Sequence, residues 1–284
     1  MIGVFDSGIG GLTVLRALVA RFPDLSFHYL ADHAHAPYGN RPAEDIVGLV
    51  KRAVDHLFHS GCQLVLLGCN TATAVAARRL QREWLPGSTW RQHNVLGIVA
   101  PTVEAATQTP WSVTEPQYPQ KYNTDLVAVF GTTRTIASHV YVEEIRKRCP
   151  RVRVVQQACP DLAGAIEHDS PAAEIKRLVQ EAARDLLAAA GTTPHKAILG
   201  CTHFPLVEHL FREALPESCR ILSQPDVVAD SLDDYLERKP WFMGPSSGRR
   251  VTLMTTGDPA RIAKTARVFW PDAPAFERAI IAAS

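Results

Sequence analysis

The stretches VLLGCNT, at residues 65–71, and AILGCTH, at residues 197–203, decide how this chain is expected to fold. In each, a short apolar run ends in a glycine and a cysteine, and polar residues suited to opening a helix follow. Upstream of each lies another apolar run that ends in a small hydroxyl residue, at residues 4–7 and 129–132. This weak internal repeat predicts two similar halves that face each other across a cleft. Each half would present its cysteine at the carboxyl end of a strand, where open α/β sheets bind ligands.

Outward from these stretches, short β-branched runs alternate with longer helical patterns, which is typical of a parallel α/β fold. The predicted strands are residues 2–5, 27–31, 64–67, 95–99, 126–130, 152–156, 197–199, 220–222 and 250–254. The predicted helices are residues 12–21, 43–60, 72–84, 133–148, 172–190, 205–214, 227–238 and 259–269. One proline-rich segment, residues 107–124, fits no element, and we interpret it as a linker, a lid or an ordered surface loop.

Length and composition narrow the class of protein. A chain of 284 residues suggests about two domains. Thirty basic and 29 acidic residues leave a formal charge of +1, which argues against a nucleic-acid partner or an acidic membrane surface. No run reaches the length of a membrane span, and the first residues do not have the pattern of a signal peptide. We therefore predict a globular protein of the reducing cytoplasm.

Two of the six cysteines stand apart from the others by context. The six are Cys62, Cys69, Cys149, Cys159, Cys201 and Cys219. Their scatter excludes a disulfide scaffold, and buried core positions are the expectation for most of them. Cys69 and Cys201 each follow a strand and a glycine, where the orphan N–H groups of a helix start would lower the pKa of a thiol. The neighbouring Asn70, Thr71 and Thr202 are suited to capping that turn or contacting a ligand.

Three further groups have both a structural and a functional interpretation. The stretch DSGIGG at residues 6–11 lacks the spacing of a dinucleotide or P-loop motif, so Asp6 is either a helix cap or a carboxylate beside Cys69. His203 is either a capping residue or a proton partner for the thiol of Cys201. DHAH at residues 32–35 resembles a metal-ligand pair, but no second pair accompanies it, and we predict no metal.

Taken together, these motifs resemble bacterial glutamate racemases, which belong to the cofactor-independent aspartate/glutamate racemase superfamily. The matching stretches occur in the family's order and are GVFDSGIGGL (3–12), APYG (36–39), GCNTATA (68–74), GIVAPTVEA (97–105), FGTTRT (130–135), ACP (158–160) and GCTHFPL (200–206). The resemblance implies two pseudo-symmetric domains with mostly parallel sheets flanked by helices, and an active site in the cleft between them. The first domain would comprise residues 1–97 plus 208–284, and the second residues 98–207.

The same resemblance implies a set of site residues. Cys69 and Cys201 would be the two catalytic acid/base thiols, with Asp6 assisting Cys69 and His203 assisting Cys201. The family's substrate contacts fall on Asp6, Ser7, Tyr38, Gly39, Asn70, Thr71, Thr132, Thr135, Thr202 and His203. Glu167 falls where the family often has a polar cleft residue. The chain departs from the family at residues 31–35, ADHAH, where Gly-Asp-Thr-Ala-Arg is common.

The implied activity is interconversion of L- and D-glutamate without a cofactor, which supplies D-glutamate for peptidoglycan. Inverting an α-carbon requires acid/base groups on both of its faces, and matched residues from two halves of a cleft supply that arrangement. The implied partner is the small-molecule substrate alone, with a homodimer left open. Three alternatives also stay open: an aspartate or broader amino-acid racemase, a Cys–His hydrolase that uses Cys201 with His203, and a non-enzymatic binding protein on the same fold.

Overall fold

The computed structural model describes residues 1–113, 115–120, 125–244 and 250–281. Its larger sheet has six strands, which are β1 (Ile2–Asp6), β2 (Phe27–Ala31), β3 (Leu64–Leu67), β4 (Asn94–Gly97), β9 (Val251–Thr255) and β10 (Phe276–Arg278). They lie in the order β10-β9-β2-β1-β3-β4, and every neighbouring pair is parallel. The parallel α/β class predicted from the sequence is confirmed.

The smaller sheet has four parallel strands and comes from the middle of the chain. The strands are β5 (Leu126–Gly131), β6 (Arg153–Ala158), β7 (Lys196–Gly200) and β8 (Arg220–Leu222). Their order is β6-β5-β7-β8. Strand β8 pairs with β7, so the change of sheet comes after residue 222 and does not coincide with the predicted domain boundary at residue 207. The division into domains itself stays a prediction.

Helices cover both sheets. They are α1 (Leu12–Arg21), α2 (Ala43–His59), α3 (Asn70–Arg79), α4 (Val99–Thr107), α5 (Thr133–Ala137), α6 (Val140–Arg148), α7 (Leu162–Glu167), α8 (Ala172–Ala190), α9 (Glu208–Ala214), α10 (Gln224–Arg238) and α11 (Pro259–Phe269). All five residues of β1 are buried, as expected when helices cover each face of a parallel strand. None of the helices in the described ranges is long and apolar enough to cross a membrane.

Helix α2 shows why these segments are helical. Its buried residues Ile46, Val50, Ala53 and Leu57 recur at intervals of three and four, which places them in one apolar stripe against the sheet. Glu44 lies in the first turn, where a carboxylate interacts favourably with the helix dipole.

Several elements differ from their predicted bounds. The predicted helix over 133–148 is two helices, because His139 adopts a left-handed conformation with φ of 54° between α5 and α6. The predicted strand over 95–99 ends at Gly97, and α4 begins at Val99. The first residue of the unassigned segment 107–124 closes α4, and Thr114 and residues 121–124 lie outside the described residues. Helix α7 and strand β10 were not predicted, since six and three residues are too short for a periodic pattern.

Strand register places the turns that contain Cys69 and Cys201 at the carboxyl edges of their sheets. In the larger sheet Phe5 is opposite Leu67, so the residues after Asp6 and the residues after Leu67 leave at the same edge. In the smaller sheet Gly131 is opposite Gly200, so Thr132 and Cys201 leave together. The carboxyl ends of the central strands therefore carry the predicted site residues.

Candidate active site

Cys69 is the N-cap of α3. Its Sγ accepts a hydrogen bond from the backbone N–H of Ala72 at 3.4 Å and lies 3.4 Å from Oγ of Ser7. The side chain is buried, with 5% of the residue exposed. Burial, reinforced by the neighbouring carboxylate of Asp6, raises the pKa of the Cys69 thiol to about 12. The prediction of a lowered pKa was wrong here, because desolvation outweighs the helix start.

Asp6 ends β1 and lies beside Cys69 in a fully buried position. One carboxylate oxygen accepts from the N–H of Gly8 at 2.9 Å and from the hydroxyl of Ser7 at 3.3 Å. The other accepts from Oγ1 of Thr202 at 3.1 Å. Burial raises the pKa of Asp6 despite these hydrogen bonds. Asp6 is therefore a buried acid that touches both halves of the chain.

Cys201 follows β7 and has a different partner. Its Sγ lies 3.8 Å from Nδ1 of His203, and Nε2 of His203 lies 2.9 Å from Oε2 of Glu167 at the end of α7. Burial by itself lowers the pKa of His203, but the contacts with Cys201 and Glu167 outweigh it and raise the pKa to about 10. Burial opposes ionisation of Glu167, and the hydrogen bond from His203 outweighs it and lowers that pKa. His203 therefore carries a proton at neutral pH next to the thiol.

The glycine-rich turn after β1 and the start of α1 pack directly against the Cys201 turn. Oγ1 of Thr13, in α1, donates to the carbonyl of Thr202 at 3.0 Å, beside the Asp6–Thr202 bond. Gly10 makes this contact possible, because a Cβ there would come within 2.5 Å of both Nδ1 of His203 and Oγ1 of Thr202. The glycine-rich turn after β1 thus brings backbone close to the second half, as no other residue type can.

Three threonine hydroxyls form a second bridge between the halves. Oγ1 of Thr71, in α3, lies 3.0 Å from Oγ1 of Thr132 and 3.3 Å from that of Thr135. Thr132 caps α5 by accepting from the N–H of Thr135. Gly39 lies over the same cluster, since a Cβ on it would come 3.3 Å from Cβ of Thr132. These hydroxyls provide donors and acceptors suited to a small polar substrate.

Asn70, the first residue of α3, takes part in a buried network. Its Oδ1 accepts from the Tyr141 hydroxyl at 2.7 Å, and its Nδ2 donates to Oε1 of Gln224 at 2.5 Å. Nε2 of Gln224 donates to Oγ1 of Thr102 at 2.8 Å. Sequence reasoning found Asn70 but missed Tyr141, Gln224 and Thr102, because they come from three separate helices and no local motif marks them.

The segment after β2 forms a wall of the site. The Tyr38 hydroxyl donates to Oδ2 of Asp32 at 2.5 Å, and burial raises the pKa of Tyr38. Nδ1 of His35 lies 2.8 Å from Oδ1 of Asp32, and Nε2 of His33 lies 3.6 Å from Oε1 of Glu167. Over the described residues, no group of three or more His, Cys, Asp or Glu side chains is placed to hold a metal ion.

The site is closed around its thiols. Cys69 and Cys201 are each 5% exposed, and a cavity of about 1100 Å³ between α3, α4, α6 and α10 is lined by neither of them. Cys62, Cys149, Cys159 and Cys219 are also buried, and none of the described cysteines is in a disulfide. Hydrogen bonds connect Asp6 with Ser7 and Thr202, and Ser7 with Cys69, so these four predicted residues share one buried region.

The architecture and the site define a class: parallel α/β proteins in which two cysteine turns from different sheets meet. The sequence profile of the Asp/Glu/hydantoin racemase family matches residues 2–231. The chain belongs to the Asp/Glu/hydantoin racemase family.

Individual relatives agree with this assignment. The chain is 48% identical over 282 residues to a glutamate racemase of Phenylobacterium zucineum, covering 98% of this chain and 99% of that one. It is 45% identical to a glutamate racemase of Roseobacter denitrificans, covering 94% and 96%. Among solved structures, a glutamate racemase of Bacillus anthracis superposes with a TM-score of 0.84 at 26% identity, covering 99% and 97%. One of Thermus thermophilus, in complex with β-chloro-D-alanine, gives 0.78 at 26% identity, covering 98% and 96%.

Proposed function

We propose that this chain is a glutamate racemase that interconverts L- and D-glutamate without a cofactor, with Cys69 and Cys201 as its two acid/base groups. The observation that carries the proposal is the pairing of each thiol with its own proton-handling group. Asp6 lies beside Cys69, and the Glu167–His203 pair lies beside Cys201. The relatives named glutamate racemase, up to 48% identical over nearly the whole chain, support the choice of substrate.

The proposed proton transfers follow from the different surroundings of Cys69 and Cys201. To invert L-glutamate, Cys201 removes the α-proton on one face, and Cys69 delivers a proton to the other face. Because the pKa of Cys69 is raised to about 12, this thiol holds its proton at neutral pH until the carbanion-like state develops. In the reverse direction Cys69 removes the proton of D-glutamate, and Cys201 returns one. The cation at His203 balances charge beside Cys201 in both directions.

The remaining polar groups hold the substrate. We assign contacts with its amino and carboxylate groups to residues that line the two turns, which are Asp6, Ser7, Tyr38, Gly39, Asn70, Thr71, Thr132, Thr135, Thr202 and His203. A closed, preorganised set of donors stabilises developing negative charge better than water does, because it need not reorganise during the reaction. The hydroxyl cluster of Thr71, Thr132 and Thr135 supports this assignment by offering three adjacent hydroxyls from both halves.

Organisation and cellular role follow from the same proposal. We treat the two sheets as two domains, the first built from residues 1–97 and the C-terminal stretch. The first strand after the predicted boundary, β8, pairs within the second sheet, which supports moving the second domain's end from residue 207 to 222. The product would be D-glutamate for peptidoglycan, made in the cytoplasm. The chain would act on its small-molecule substrate as a monomer or a homodimer.

One experiment tests the activity. The purified chain is incubated with L-glutamate in deuterated water without added cofactor, and optical rotation and α-proton exchange are followed together. We expect inversion to the racemate with deuterium at the α-carbon. The absence of both inversion and exchange contradicts the proposal, and inversion only with added pyridoxal phosphate contradicts the two-thiol mechanism. Parallel incubation with L-aspartate assigns substrate preference, and faster inversion of aspartate would replace glutamate as the substrate.

A further inference from the structure

Tyr141 lies between the two cysteine turns and touches both. It is fully buried in α6, and its hydroxyl donates to Oδ1 of Asn70, the residue after Cys69, at 2.7 Å. Its ring packs against Gly200, the residue before Cys201, where an added Cβ would come 3.3 Å from Cε2 of the tyrosine. One rigid side chain therefore contacts the side chain of the residue after one thiol and the backbone of the residue before the other.

Two further side chains, those of Gln224 and Thr102, complete the hydrogen-bond network around Tyr141 and Asn70. Nε2 of Gln224, at the start of α10, lies 3.1 Å from the Tyr141 hydroxyl and 3.2 Å from Oδ1 of Asn70. The same Nε2 donates to Oγ1 of Thr102 in α4 at 2.8 Å. All four residues are at most 2% exposed. Because buried polar groups are costly when unpaired, this network has one favourable arrangement.

The network also lies where the chain crosses between sheets. Thr102 belongs to α4, which follows β4 as the chain leaves the larger sheet, and Gln224 opens α10 just after β8 of the smaller sheet. A shift of one sheet relative to the other would therefore break hydrogen bonds at Asn70 and Tyr141 together. Burial raises the pKa of the Tyr141 hydroxyl, so it remains a hydrogen-bond donor throughout the working range of pH.

We propose that Tyr141 is a positioning residue that sets the spacing of the two thiol turns, through its hydroxyl on Asn70 and its ring against Gly200. The proposal rests on the proposed racemase function and deepens it. Two acid/base groups that must flank one carbon tolerate little misplacement, and an error of one ångström costs up to about 100-fold in rate. Tyr141 itself touches neither sulfur as a hydrogen-bond partner in the described contacts.

The test compares Tyr141→Phe with a matched control, Tyr235→Phe. Tyr235, in α10, also has a hydroxyl bonded to an asparagine, since Nδ2 of Asn94 lies 2.5 Å from it, but Asn94 belongs to β4 and not to a cysteine turn. Both variants keep the ring and lose one hydroxyl. The measurements are kcat and KM in both directions, the primary isotope effect on kcat with α-deuterated glutamate, and the melting temperature.

We expect Tyr141→Phe to lower kcat about 10- to 100-fold, with KM changed by less than about threefold and a larger isotope effect for both enantiomers. The control should keep kcat within about twofold of the wild type, and its melting temperature should fall less, because the Tyr235 side chain is only partly buried. A kcat for Tyr141→Phe equal to that of the control contradicts the inference, and so does a rise in KM alone. If Tyr141→Phe does not fold, Gln224→Met loosens the same tether and should lower kcat in the same way. A wild-type chain without racemase activity overturns the proposed function instead, so the two failures are distinguishable.

Discussion

The turns at Cys69 and Cys201 share a sequence pattern but differ in what surrounds the sulfur. Cys69 caps the ten-residue helix α3 and lies beside the buried acid Asp6. Cys201 precedes a turn and a short 3-10 helix over Phe204–Val207, so no α-helix begins at it, and its neighbour is the imidazole of His203. The sequence repeat therefore encodes matched backbone positions, whereas the chemistry on each side depends on partners from elsewhere in the chain.

Under the proposed two-thiol mechanism, this difference would let one reaction run in both directions through unlike groups. On the Cys69 side, burial and a carboxylate favour the neutral thiol. On the Cys201 side, the contacts of His203 with Cys201 and Glu167 outweigh burial and raise the pKa of its imidazole. Thr202 connects the two by donating to Asp6. In the proposed mechanism, such unlike partners would keep one thiol protonated while the other is paired with a cation, as inversion of L-glutamate by two bases requires.

Removing either thiol should have the largest effect on racemisation. We expect Cys69→Ala and Cys201→Ala each to lower racemisation about 10⁴-fold or more, because each direction needs one thiol as base and the other as acid. Residual α-proton exchange in deuterated water should be confined to L-glutamate in Cys69→Ala and to D-glutamate in Cys201→Ala. Cys219→Ala, which removes a buried thiol outside the site, is the control. Near-wild-type racemisation in either site variant would remove that cysteine from the mechanism.

Substitutions of Asp6 and His203 should show which thiol each of these two residues assists. We expect Asp6→Asn and His203→Asn to lower kcat about 10²- to 10³-fold. Because the two enantiomers have equal free energy, kcat/KM must stay equal in both directions, and the asymmetry appears in isotope effects. Asp6→Asn should enlarge the effect with α-deuterated D-glutamate, and His203→Asn that with the L-enantiomer. Equal isotope effects in both variants would argue against the separate assignment.

Separating the glycine-rich turn after β1 from the Cys201 turn should have a smaller effect. A Cβ on Gly10 would come within 2.5 Å of His203 and Thr202, so Gly10→Ala pushes the halves apart. We expect a loss of about 1–3 kcal/mol in the free energy of unfolding, typical of overpacking, together with reduced kcat. The control is Gly164→Ala, since an added Cβ there has no neighbour within 4 Å. Denaturant unfolding and steady-state assays measure both, and equal stability of the two variants would contradict the steric argument.

The smallest effect is expected from a substitution that tests the charge on His203, which is measured through the pH dependence of kcat/KM. The pKa of His203 is raised to about 10, so its cation is present at neutral pH and lost as pH rises through that value. Glu167→Gln removes a contact that raises this pKa, and the alkaline fall in kcat/KM should therefore move to lower pH by about 1–3 units. Glu213→Gln, which changes an exposed ion pair with Lys176, serves as the control. An unmoved alkaline limb would show that His203 does not control it.

Much of the fold was predictable because its elements have strong local patterns. The bounds of α1, α8 and α11 match the predicted ranges, since their apolar spacing and end signals are continuous along the chain. The predicted helix over 133–148 was wrong at His139, because a left-handed residue in a helical pattern leaves no mark in hydrophobic spacing. Strand β10 has only one buried residue, Phe276, and depends on its pairing with β9.

The site likewise has features that the sequence indicates and features that only the packed structure decides. By itself, the sequence determined the two turns with their cysteines and indicated polar residues such as Asp6, His203 and Thr71, because these lie at strand ends or within a few residues after them. Only the tertiary structure decided that Tyr141 and Gln224 join at Asn70, and that the Cys69 thiol has a raised pKa. The physical reason is that helix starts and strand ends are encoded locally, whereas desolvation and hydrogen bonding between distant helices exist only once the two halves are packed together.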